Sequence, residues 1–253
     1  MSRLRMIPPI RTARLAFRAS AAVALLPLLS GTASAEPPDA ALLARLSLHA
    51  EANEQMRKLG SFRLDELVEE LDGDGKVTST EVTKARIESN GTSAHETVEA
   101  CVEDGKDATA DKQERVRKDE SGTGSERDRL ISETLHLPFR QVDQPLYAFD
   151  LLKTDPADPS HVQISFVPRN PNEHTVEGTA WVDTRSGTVL SAGAKMSKPP
   201  KLVDWVHFTV EFGAKTPAGP AVSRLTLEAE GGFLFVRRHL RTEMKMTNYR
   251  LTP

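Results

Sequence analysis

Leu71-Asp72-Gly73-Asp74-Gly75-Lys76-Val77-Thr78-Ser79-Thr80-Glu81 has two competing readings, and they lead to different proteins. With Gly75 at the sixth position of a calcium loop, Asp72, Asp74 and Glu81 take the third, fifth and twelfth positions of residues 70–81. That is the spacing at which an EF-hand supplies oxygen ligands, a sharp glycine turn and a closing glutamate. The same letters also suit a tight β-turn, because glycine supplies the positive φ that hairpin turns require. The flanks favour the hairpin. Val82-Thr83-Lys84-Ala85-Arg86-Ile87 is rich in β-branched residues, and Phe62, Leu64 and Val68 share one strand parity with Glu66 interrupting. The first loop position holds Glu70 where aspartate is expected, and no helix is evident on either side. The stretch therefore predicts two antiparallel strands, with the calcium module as the alternative.

Upstream, Asp39 is positioned to cap a helix whose apolar residues Leu42, Leu43, Leu46, Ala50, Met56 and Leu59 recur at helical spacing. Gly60 stands where a left-handed glycine would end it. Before that, Arg3, Arg5, Arg11, Arg14 and Arg18 precede the apolar run Ala19–Leu29 and the small-x-small pattern Ala33-Ser34-Ala35. This is the layout of a cleavable export signal over residues 1–35, which predicts a periplasmic or secreted chain of 36–253. The apolar run is too short to span a bilayer, and no later stretch reaches the roughly 20 residues required.

Residues 1–35 hold five arginines and no acid, so 33 basic and 36 acidic residues become 28 and 36 after cleavage, a net charge of −8. Such a balance argues against nucleic acid and against a polybasic lipid-binding face. Cys101 is the only cysteine, so no internal disulfide forms; acids at Glu99, Glu103 and Asp104 make a packed thiol the better reading.

Downstream the period is two. Glu96–Glu103 reads as a strand ending in the turn Asp104-Gly105-Lys106. Residues 106–130 form a charged insert, helical around Asp111–Asp119 and then flexible through Ser121-Gly122-Thr123-Gly124, a candidate lid. After it come Tyr147–Leu151, Val162–Phe166, Gly178–Asp183, Thr188–Leu190, Val206–Phe212 and Val222–Leu227. A last strand carries Leu234, Val236, Leu240, Met244 and Met246 at period two. Short alternating strands without intervening helices make this a mainly β (α+β) chain, with a curved antiparallel sheet or unclosed barrel under an N-terminal helix.

Seven scattered histidines show no metal spacing, and no nucleophile elbow or phosphate loop occurs, so no enzyme and no cofactor is predicted. His207 reads as solvent-facing, Asn90-Gly91-Thr92 as a turn, and Arg237, Arg238 and Arg241 as a solvated sheet edge. An apolar sheet face bearing methionines suits a hydrocarbon ligand, because thioethers adapt to irregular shapes. The candidate lining is Phe166, Trp181, Phe208, Val210, Leu225, Leu227, Leu240, Met244 and Met246. The alternative for the same face is a plain core in a structural envelope protein.

The run Gly178-Thr179-Ala180-Trp181-Val182-Asp183, the turn at Gly187 and the distal Met246-Thr247-Asn248-Tyr249-Arg250 resemble the lipoprotein-sorting LolA/LolB-like superfamily, above all its periplasmic relatives. The helix at 39–59, the turn at Asp72–Lys76 and the insert at 107–128 match that layout. The resemblance implies an unclosed barrel lined with apolar side chains, a helical lid, and a lipid or lipoprotein acyl chain as partner, with no enzymatic residues.

Overall fold

The computed structural model describes residues 36–91, 93–121, 137–233 and 236–251. The predicted leader, Thr92, residues 122–130 of the insert, and Leu234 lie outside the described residues.

Helix α1 spans Ala40–Leu59 and begins where its cap predicts: the Leu42 N–H donates to Asp39 Oδ1 at 2.5 Å. Leu42, Leu46 and Met56 are buried along one side. Gly60 ends the helix, but not as a left-handed cap. Its φ is −107°, and it is already the first residue of β1. Glycine is needed there for space, since a Cβ would stand 2.3 Å from the Met56 carbonyl oxygen.

Eleven strands follow: β1 (Gly60–Leu71), β2 (Val77–Ser89), β3 (Ala94–Glu103), β4 (Lys106–Asp107), β5 (Tyr147–Thr154), β6 (His161–Pro168), β7 (Val176–Asp183), β8 (Thr188–Met196), β9 (Val203–Thr216), β10 (Gly219–Phe233) and β11 (Val236–Leu251). Helix α2 (Thr109–Ser121) follows β4, and a 3-10 turn (Gln144–Leu146) precedes β5. All strands join one antiparallel sheet in the order β4-β3-β2-β1-β11-β10-β9-β8-β7-β6-β5, which does not close. Among the described strands, only the β1–β11 pairing departs from neighbour-to-neighbour order, running from Gly60↔Leu251 to Leu71↔His239. It places the last strand in the middle of the sheet. Arg237, Arg238 and Arg241 are therefore not at an edge. Arg238 pairs with Glu70 at 3.2 Å, Arg241 with Glu228 at 2.8 Å, and Arg237 with Asp204 and Glu230, tying β11 to β1, β10 and β9.

The opening stretch is a hairpin. Strands β1 and β2 pair from Ser61↔Glu88 to Leu71↔Val77. Between them Gly75 takes φ +77°, and Asp72 Oδ1 accepts from the Asp74 and Lys76 N–H groups at 3.0 and 2.9 Å. The Asp72 carboxylate is thus occupied by its own turn. Glu81 does not close a loop around it. It lies four residues along β2, roughly 13 Å from the tip at strand rise, and binds Lys112 at 2.6 Å and Arg115 at 3.1 Å. The calcium-loop reading of Asp72, Asp74 and Glu81 is corrected by this geometry, because a strand carries Glu81 away where an EF-hand would curl it back.

Helix α2 is not wholly solvated. Lys112 is buried against Glu81, and two α2-side groups close the sheet edge at β3. Gln113 Nε2 donates to the Val98 carbonyl at 3.0 Å, and Thr109 Oγ1 accepts from the Cys101 N–H at 2.9 Å. Edge groups that would invite another strand are thereby satisfied. At the opposite edge the Leu151 N–H donates to the Glu36 carbonyl at 2.8 Å. Pro37 and Pro38, lacking N–H groups, end that pairing at once.

Candidate functional site

Strand alternation sorts the candidate lining onto two faces. The inner face, part of which α1 covers, holds Ile164 and Phe166 of β6, Ala180 and Val182 of β7, Val189 and Ala192 of β8, Phe208 and Val210 of β9, Leu225 of β10 and Met244 of β11. All are buried in one cluster, with Leu42 and Leu46 of α1 and Phe139 packed into it. Leu227 and Met246 are partly buried at its margin. Leu240 shares this face but stands outside the cluster, in the half-buried row Leu240–Ala229–Val206.

Trp181 is the exception. Its strand neighbours Ala180 and Val182 point inward, so Trp181 points outward, paired with Gln163 and Ser191. The Lys153 ammonium sits 5.4 Å from its ring centroid. Trp181 therefore stands apart from the rest of the candidate lining: the small alanine faces the core and the large ring faces out.

Two features on these elements had no sequence signal as site residues. Glu66, 7 % exposed, lies on the inner face with Thr83 across one strand and Met244 across the other. Its only trace was an acid at an apolar parity position. His49 is the second. From α1 it reaches three strands: its Nε2 lies 2.9 Å from the Pro220 carbonyl, its Nδ1 accepts from the Val189 N–H at 3.5 Å, and its ring meets Phe212 edge-on. Asn53, one turn on, donates to the same Pro220 carbonyl at 3.1 Å. Together they pin the helix over the inner face.

Burial holds the His49 imidazole below its usual value of 6.5, with the Pro220 hydrogen bond opposing this. The folded chain therefore binds that proton less readily than the unfolded chain. The contribution of neutral His49 is complete above about pH 6.5 and is lost as pH falls through that value toward the folded one. We expect the urea midpoint to drop on acidification between about pH 7.5 and 5, and to drop less in His49→Gln. Equal slopes in the two chains would show that His49 is not a pin.

Cys101 is fully buried beside Thr83, 3.6 Å from its hydroxyl, and His207 is exposed on the outer face. An open trough of about 420 Å³ also lies on the outer side, lined by Val167, Thr179, Gly193 and the Glu177–Lys195 ion pair. It is separate from the inner cluster. Among the described residues, no helix is long and apolar enough to cross a membrane.

No family model and no curated protein matches the chain. Solved structures do resemble it in layout. A DUF1329 family protein from Desulfovibrio piger is 12 % identical, with a TM-score of 0.39, over 85 % of this chain and 93 % of that one. A putative outer membrane lipoprotein-sorting protein domain from Vibrio parahaemolyticus is 8 % identical, with a TM-score of 0.37, over 81 % and 91 %. A LolA superfamily protein from Nitrosomonas europaea is 9 % identical, with a TM-score of 0.32, over 80 % and 91 %. Identity of this order transfers no residue's role, so the chemistry rests on the inner face itself.

Proposed function

We propose that the chain is a non-enzymatic, exported protein that holds the acyl chain of a lipid or lipoprotein against its inner sheet face. The observation that carries this reading is the continuity of the apolar lining. It runs from Phe166 on β6 to Met244 on β11, and α1 covers only part of it. Beyond the helix the row Leu240–Ala229–Val206 is half-buried, which offers a hydrocarbon chain a way in from solvent. An acyl chain entering there meets Leu227 and then the cluster that Leu42 and Leu46 now fill. Burying about eight methylenes at roughly 0.8 kcal/mol each supplies about 6 kcal/mol, a Kd in the tens of micromolar.

The test is a titration of delipidated residues 36–253 with a fluorescent fatty acid, alongside native mass spectrometry of the chain purified from a bacterial periplasm. Saturable uptake and a co-purified lipid mass are expected. A clean unliganded mass together with a flat titration would refute the proposal.

A further inference from the structure

From a different part of the molecule, and independently of what the inner face holds, we infer that one end of the sheet docks onto an anionic lipid surface. At that end β5, β7 and β9 begin and β6 and β8 finish. Backbone hydrogen bonds join the connecting segments into one rim: Arg169 N–H to the Leu146 carbonyl at 2.8 Å, Ser197 N–H to the Thr175 carbonyl at 2.9 Å, and Gly232 N–H to the Leu202 carbonyl at 2.8 Å. Three aliphatic side chains stand out from it. Leu146 is 57 % exposed, Val167 46 % and Leu202 60 %.

Leu202 is held there at a conformational cost. Its φ is +75°, in the left-handed region that branched aliphatic residues rarely enter. The neighbouring strand accommodates it with Gly231, where a Cβ would stand 2.3 Å from the Leu202 carbonyl oxygen. A solvent-exposed leucine in such a backbone does nothing for the core.

Charge indicates what covers the rim. Most basic side chains elsewhere in the sheet are paired with acids, as in Arg238–Glu70 and Lys195–Glu177. Arg169, Lys198 and Lys201 are exposed and form no ion pair among the described residues. The two loops that carry them, 169–175 and 197–202, contain a single acid, Glu173, in a chain whose acids otherwise outnumber its bases. Cations interleaved with aliphatic side chains suit the membrane interface, where phosphates meet the former and the acyl boundary takes the latter. The acidic turn Asp72–Lys76 sits at the same end on the far half of the sheet, so the β5–β9 half leads the approach.

The inference is tested by co-sedimentation of residues 36–253, which hold every described element, with vesicles of phosphatidylcholine alone or with about one-third phosphatidylglycerol. The chain is expected to sediment with the anionic vesicles, and salt should release it. Lys198→Gln with Lys201→Gln should weaken binding about 25-fold, at about five-fold per cation. Leu202→Gly should weaken it about ten-fold while raising the melting temperature, since glycine removes both the anchor and the unfavourable φ. Leu240→Asp, on the inner face, should leave sedimentation unchanged. The docking rim is wrong if the parent chain ignores anionic vesicles, if both rim variants bind undiminished, or if Leu240→Asp alone abolishes sedimentation, which would route attachment through the inner face.

Discussion

Met244→Asp is expected to leave no stably folded chain, whereas Leu240→Asp, four residues earlier on the same strand face, should fold and fail to take up an acyl chain. Met244 is 6 % exposed within the cluster that α1 covers. Truncating a buried methionine alone costs about 2–5 kcal/mol. An aspartate adds an unpaired carboxylate in an apolar setting, and the strand register puts Glu66 directly across from it. Two acids facing each other on a buried surface bring the total to at least about 5 kcal/mol, comparable with the whole stability of a typical domain. At Leu240 the side chain is only partly covered, and its cross-strand neighbours Ala229 and Glu70 leave room for solvent. A cost of about 1 kcal/mol is expected there. Far-UV circular dichroism and urea midpoints of the two variants give the comparison directly. If Met244→Asp folds with a midpoint near that of the parent chain, the inner face around β11 is wet, and the packed cluster described for it is mistaken.

That contrast also marks what the residues alone could and could not reveal. Helix α1 was legible because its cap and its apolar spacing are local properties, and the strands because alternation and turn residues are local as well. The predicted strands from Tyr147–Leu151 to Val222–Leu227 each lie inside an observed one, and Val236–Met246 of the last lies in β11. Side assignment failed at Trp181, because alternation fixes two faces without saying which is inward. Strand order was not legible either. Nothing near Arg237, Arg238 and Arg241 states that β11 enters the middle of the sheet, since its partner β1 lies far away in the chain. The calcium spacing failed for a third reason. Turn and metal loop both demand glycine and short acids, and only the register Leu71↔Val77 separates them. His49 acts through contacts with distant strands, so it looked like an ordinary helix residue in a local window, and Glu66 showed only as an acid interrupting an apolar parity.

Gly178→Ala and Gly193→Ala are expected to move stability in opposite directions, although both place the same methyl group on adjacent strands of one sheet. Propensity alone treats them alike, since glycine in a strand interior generally weakens it. The surroundings do not. At Gly178, on the inner face, a Cβ would stand 2.1 Å from the Gly193 carbonyl oxygen and 2.7 Å from the Ala194 Cα. Those are backbone atoms of a paired strand and cannot swing aside as a flexible side chain would. Relief requires β7 and β8 to separate where Gly178 pairs with Ala194, next to the fully buried Phe166. The expected loss is about 3 kcal/mol or more. At Gly193, on the outer face, nothing lies within 4 Å of the added atom, and no positive φ opposes it. Alanine there restricts the unfolded chain at no steric cost, for a gain of about 0.5 kcal/mol. Urea titrations of both variants read the two signs. A Gly178→Ala chain as stable as the parent would mean that β7 and β8 do not approach so closely. The floor under Phe166, against which an acyl chain would have to pack, would then lie elsewhere.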